Sequence, residues 1–219
     1  MIPLHPSLSP IQACNRCPLH KNQRPLLDNR SVTDVLWVGL SAVRVADVHA
    51  EAPLSSLSRS GRLLSRIEAR NCTIAYYRTN LVKCLPLRNG KLRYPSQPEM
   101  LNCYENLQLE IAALKPAVIV LLGQRVSNCV LSASNLPTHN LNRDFQYQTL
   151  DGSGLTFIPV HHPSFILIYN RKRADDYVQR IQGLLRQVVS DRRKELACIP
   201  RFAPPEPPPV RSIELSHQP

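Results

Sequence analysis

Residues 34–40 read DVLWVGL and residues 117–123 read AVIVLLG. Each apolar run is too continuous to leave a face for water, which is the pattern of a strand covered on both sides in a parallel sheet. Two further stretches, TIAYYRTNLV at 73–82 and TFIPV at 156–160, also read as strands. Between them the period lengthens to that of a helix. Residues 61–70 put Leu63, Leu64 and Ile67 on one side. Ser96, followed three positions later by Glu99, is a capping box opening a helix that repeats Leu101, Tyr104, Leu107, Ile111 and Leu114. A helix is expected after Gly123, and residues 174–189 repeat Tyr177, Ile181, Leu184, Leu185 and Val188 at helical spacing. This alternation predicts an α/β fold, a three-layer α/β/α sandwich with a mostly parallel four-stranded sheet. Ligands of such sheets bind beyond the carboxyl ends of the strands, which directs attention to the loops after Leu40, Val82 and Val160.

The chain has 219 residues, enough for one domain with extensions. The domain is read over residues 1–199. Seven of the twenty residues from 200 to 219 are proline, so that stretch is read as a disordered tail and as a docking segment for an unidentified protein. Lys and Arg number 27 against 16 Asp and Glu, and a net charge of +11 points to a polyanion, nucleic acid first. The longest apolar run, residues 117–122, falls far short of the ~20 residues of a membrane span. The opening MIPLHPSLSP carries neither the basic nor the apolar part of a leader. The expectation is a monomer in the cytoplasm, working at the nucleoid without a membrane partner.

Seven cysteines form no regular disulfide scaffold, and a chain that is 43% hydrophobic can build a core without staples. Cys14 and Cys17 make a C-x-x-C turn whose sulfurs can grip one metal centre, and Cys84 and Cys103 bring the thiols to four. Four sulfurs suit either zinc or a [4Fe-4S] cube, and spacing alone does not choose between them. Burial as small apolar side chains is the competing explanation for Cys84 and Cys103, a structural role also assigned to Cys72, Cys129 and Cys198.

At this point the chain resembles the uracil-DNA glycosylase superfamily, in its iron-sulfur branches of family 4 and family 5 type. The resemblance rests on CPL at 17–19 after Cys14, a strand ending in Gly39, TNLVKCLP at 79–86, a later cysteine on a helix, KPAVIVLLG at 115–123 and HPS at 162–164. It implies a structural [4Fe-4S] cluster on Cys14, Cys17, Cys84 and Cys103. It further implies hydrolysis of the N-glycosidic bond of a base flipped out of DNA. On this resemblance His162 donates to the base carbonyl and Asn80 reads the base edge, beside Gly39, Leu40, Ser41 and Leu54. Where the family has Pro-Gly in its first motif, this chain reads Gly39-Leu40-Ser41-Ala42-Val43, without a carboxylate. Val43 does not readily take a positive φ, so the loop must follow another path. Orientation of water then falls to Asp47, with Glu51 and His49 as alternatives. Leu54 stands after Pro53 where the family has a stacking aromatic, which weakens selection for uracil.

Residues 59–93 hold nine basic side chains against the single acid Glu68. Arg59, Arg62, Arg66 and Arg70 line one helix face, where like charges repel unless phosphate meets them. A second basic group, Arg171, Lys172 and Arg173, follows the HPS motif. Ser164 and Phe165 join the DNA-contacting set, with Phe165, Ile166 or Leu167 as a wedge into the gap left by the flipped base. Three functions remain open: a monofunctional DNA glycosylase, a non-catalytic iron-sulfur DNA-binding relative, and a zinc-stabilised nucleic-acid-binding module.

Overall fold

Alternate residues of the central strands point to two different cores, and both cores are apolar. On one side Leu36, Val38, Tyr77, Leu81, Ile119 and Leu121 are buried together; on the other, Val35, Trp37, Tyr76, Val118, Val120 and Ile158. Such strands can only sit between two helical layers. The computed structural model describes residues 6–198. The Pro-rich tail at 200–219 lies outside the described residues.

The strands are β1 (Val35–Ser41), β2 (Tyr76–Val82), β3 (Leu87–Arg88), β4 (Lys91–Leu92), β5 (Val118–Leu122), β6 (Leu150–Gly152) and β7 (Leu155–Val160). The α-helices are α1 (Ser9–Gln12), α2 (Arg59–Ala69), α3 (Gln97–Leu114), α4 (Gln124–Ala133), α5 (Pro163–Tyr169) and α6 (Ala174–Cys198). The main sheet runs β2-β1-β5-β7-β6, with every pairing parallel except the β6–β7 hairpin, and β3 and β4 form a separate two-stranded ribbon. Helices α3 and α4 cover one face; α2, α5 and α6 cover the other.

The expected sandwich is present, with one correction: its sheet has five strands, not four. The fifth, β6, reads Leu-Asp-Gly at an edge, too short and polar to announce itself. The second expected strand starts three residues late, because Ile74 closes a turn back to Asn71. Helix α6 outruns its apolar repeat, since Arg193 bonds Asp34 at 2.8 Å and Arg192 bonds Thr156 at 2.9 Å.

The capping box of α3 forms as expected: Ser96 Oγ accepts from the Glu99 amide, and Glu99 accepts from the Ser96 amide at 2.7 Å. Arg93 grips the same carboxylate and helps hold it down to about 2. The buried stripe of α3 is rotated from the expected one. Leu101 is exposed, and Met100, Cys103, Asn106, Leu107, Glu110 and Leu114 face inward. Three polar groups on an inward stripe mark the place where function and core meet.

Candidate functional site

Parallel strands end on the same side of a sheet, and the register brings Gly39 of β1 level with Asn80 of β2. A Cβ on Gly39 would collide with Asn80 Oδ1 and stand 3.2 Å from Leu54 Cδ2, so glycine is required here for close approach. Asn80 is 3% exposed, and among the described residues no partner bonds its side-chain amide. Its backbone carbonyl is tied down, accepting from Lys83 Nζ at 2.7 Å.

That lysine is fully buried. Its ammonium pairs with Glu110 of α3 and donates to Thr79 Oγ1 at 2.8 Å, while Thr79 donates to both Glu110 oxygens at 3.0 Å. A buried ion pair survives only when its remaining lone pairs and protons are met, as they are here. The network fixes the end of β2 from beneath.

Two strands across from β1, β7 delivers His162 as the N-cap of α5. Gly123, at the end of β5, again has no Cβ, and one there would stand 3.3 Å from His162 Cβ. Nδ1 of His162 accepts from the Ser164 backbone amide at 3.1 Å, with Ser164 Oγ at 2.7 Å. An amide N–H only donates, so the imidazole proton resides on Nε2. Burial pushes the ring's pKa down to about 4, which keeps it a neutral donor at physiological pH. His161, its neighbour, faces inward: its ring stacks on Phe165, and Nδ1 lies 3.0 Å from Tyr147 Oη.

The four cysteines gather on the α3 side of the sheet. Cys14, Cys17, Cys84 and Cys103 line one pocket with Arg16, His20 and Asn106. Asn106 Nδ2 donates to Cys14 Sγ at 3.4 Å and Cys103 Sγ at 3.6 Å, and the Lys83 amide donates to Cys103 Sγ at 3.4 Å. Burial, then the three other sulfurs, push the Cys84 thiol up to about 12. Cys14 runs the other way: burial opposes the shift, but the Asn106 bond and contacts to Arg16 bring it down. Among the described residues no three Cys, His, Asp or Glu side chains converge tightly enough for a single metal ion. Four sulfurs around a pocket, with N–H donors aimed at two of them, are a donor set suited to thiolate ligation.

Comparison with known proteins decides the family. The family model for the uracil DNA glycosylase superfamily matches residues 23–186. The chain belongs to the uracil DNA glycosylase superfamily. It is 26% identical over 175 residues to a type-4 uracil-DNA glycosylase of Archaeoglobus fulgidus, covering 76% of this chain and 84% of that one. To a type-4 uracil-DNA glycosylase of Pyrobaculum aerophilum it is 32% identical over 119 residues, covering 52% of this chain and 57% of that one. Cys14 and Cys17 precede the matched segment.

The loop after β1 is held by a side chain from the N-terminal segment. Val43 is not left-handed. Instead Gln23 spans the loop, donating to the Val43 carbonyl and accepting from the Val45 amide, each at 3.1 Å. Leu40 and Ser41 complete β1 and are half-buried. Asp47 is exposed, and its Oδ1 accepts from the His49 amide at 2.8 Å; Glu51 accepts from Ala46.

Arg59, Arg62 and Arg66 on α2 and Arg70 at its C-cap are exposed, opposite buried Leu63, Leu64 and Ile67, as the spacing predicted. Arg66 is paired with Asp175. The sequence count overstates the surface charge, because Arg78 and Lys83 are buried and paired with Glu68 and Glu110. Arg171 and Lys172 are exposed, whereas Arg173 lies over the Phe145 ring and bonds Asp176. Ile166 is fully buried, Phe165 and Leu167 are partly so, and the exposed apolar side chains of α5 are Ile168 and Tyr169. Cys72 is exposed and fills no core, while Cys129 is half-buried. Cys198 ends α6.

Sequence reading missed Lys83 and Glu110 as site residues, although Glu110 keeps step with Cys103, Leu107 and Leu114 at spacings of four, three and four. A carboxylate on that stripe was the available signal.

Proposed function

We propose that the protein is a monofunctional DNA glycosylase that hydrolyses the N-glycosidic bond of uracil, or of another damaged or modified base, flipped into a pocket at Gly39, Asn80 and Leu54. The observation that carries this reading is His162: neutral, with its proton on Nε2 and its other nitrogen held by Ser164. As water adds at the sugar C1′, the bond to the base nitrogen breaks and its electron pair leaves with the base. A donor at the base carbonyl stabilises the charge that gathers there. The Asn80 amide offers one acceptor and two donors to a base edge. Asp47, on the loop after β1, orients the water. The names of both relatives support uracil as the first base to test.

DNA is then the partner. Arg59, Arg62, Arg70, Arg171 and Lys172 meet phosphates, with Ser164 and Phe165 beside the pocket. A DNA substrate sets the place of work at the nucleoid in the cytoplasm, and one chain supplies every residue named. Cys14, Cys17, Cys84 and Cys103 would hold a [4Fe-4S] cluster, with zinc as the competitor. Bound there, the group supplies structure, tying the N-terminal segment to β2 and α3.

The test is single-turnover release of free base from oligonucleotides carrying uracil, hypoxanthine, xanthine or modified bases. Release from at least one, slowed by ~10² or more in His162→Ala, is expected. Binding of the same DNA without release of any base would replace this reading with a second one, a DNA-binding relative without chemistry. The exposure of Asp47 and the missing carboxylate in the Gly39 to Val43 motif favour that second reading.

A further inference from the structure

Leu54 has a φ of 53°, a left-handed conformation that leucine adopts only where its surroundings impose it. Two neighbours do so. Gly61 of α2 leaves the space: any Cβ there would collide with the carbonyls of Leu54 and Ser55. From the sheet, Arg78 Nη1 donates to the Leu54 carbonyl at 2.6 Å. Arg78 is 5% exposed and cannot turn away. Its Nε and Nη2 take the two Glu68 oxygens at 2.9 and 2.8 Å, and Nη2 also reaches Ser65 Oγ at 2.9 Å. Glu68 and Ser65 belong to α2, so one guanidinium joins β2, α2 and the loop between β1 and α2.

Held this way, the Leu54 side chain lies over Gly39, where a Cβ would meet both Leu54 Cδ2 and Asn80 Oδ1. We propose that Arg78 is a positioning residue: by holding the Leu54 carbonyl it fixes an aliphatic wall over Gly39 and so sets which bases the Asn80 pocket admits. The inference rests on the base-release reading above. An isobutyl group offers no ring face for stacking, so selection depends on where the wall stands. Lysine in place of Arg78 keeps the charge but offers no fork, and cannot hold Glu68 and Leu54 together.

The test uses the full chain, wild type and the variants Arg78→Lys and Leu54→Gly. Hydrogen exchange is followed at the amides of residues 54–58, and single-turnover release is compared for uracil and hypoxanthine in otherwise identical oligonucleotides. In Arg78→Lys, exchange is expected to quicken tenfold or more, and release of hypoxanthine relative to uracil to rise at least fivefold. Glycine accepts positive φ, so Leu54→Gly is expected to raise the same ratio while the loop amides stay protected. Unchanged exchange in Arg78→Lys, or rates that fall equally for both bases in both variants, would overturn the proposal while leaving base release intact. A wild type that releases neither base overturns base release and the selection built on it, and exchange then reports separately whether the clamp holds.

Discussion

The Ser164 amide donates to Nδ1 of His162 at 3.1 Å, and this bond decides which imidazole nitrogen can serve a substrate. With Nδ1 occupied by a donor, only Nε2 carries a proton to donate. His162→Ala should lower the single-turnover rate of base release by ~10² or more while DNA affinity stays nearly constant, since the lost bond forms chiefly as charge develops. Equal losses in binding and rate would assign His162 to ground-state contact instead.

The same residue has a pH signature. Its folded pKa lies at about 4, below the ordinary 6.5, so between those values the unfolded chain binds a proton that the folded chain refuses. Stability from this residue is therefore complete above pH 6.5 and is lost as pH falls toward 4, by on the order of 3 kcal/mol. His162→Gln should flatten the dependence of Tm on pH in that window. A parallel curve would show that burial of His162 does not govern it.

The ion pair of Lys83 and Glu110 has no access to water. Glu110→Gln leaves a buried ammonium without its counter-charge, at a cost of about 3–5 kcal/mol, and Tm should drop sharply. Replacing both members, Lys83→Met with Glu110→Leu, should recover much of that loss. A drop as deep in the double variant would mean that the side chains support β2 by shape rather than by charge.

How far the sequence could be read follows from the same pair. The two-sided strands were legible because every second residue on either face is apolar, as in Val35 to Val38. The burial of Arg78 and Lys83 was not, because a charge reads as solvated unless its partner is known, and Glu68 and Glu110 are 10 and 27 residues away. Strand β6 was invisible for the opposite reason: at an edge, Leu150 to Gly152 needs no apolar pattern to pair with β7. The family resemblance could nominate Asn80, Gly39 and His162, but the close approach of Gly39 to Asn80 depends on register between strands that are distant in the chain. The clamp on Leu54 combines a left-handed leucine, a glycine on α2 and an arginine on β2, which no local pattern connects.

The thiol pocket makes a prediction by colour and metal content. Anaerobically purified protein should absorb broadly in the visible and contain iron, and Cys84→Ala should lose that absorbance while Cys129→Ala keeps it. Cys129 is half-buried on α4 and does not line the pocket, so it controls for general thiol loss. Stoichiometric zinc without iron would sink the cluster and keep the four ligands.

The arginine face of α2 is predicted to contact phosphate without reading sequence. Each neutralised phosphate releases a counterion, so log K falls with log salt at roughly 0.9 per contact on duplex DNA. Arg59, Arg62 and Arg70 are exposed, and no carboxylate pairs with them among the described residues, whereas Arg66 already has Asp175. Changing the first three to Gln should therefore reduce the slope by up to about three units and weaken all sequences alike. Arg66→Gln should change it less, because that guanidinium must leave Asp175 before it can take a phosphate. Asp175→Asn then supplies the sign: freeing Arg66 should strengthen binding and steepen the slope. An unchanged slope in the triple variant would return the whole stripe to solvent.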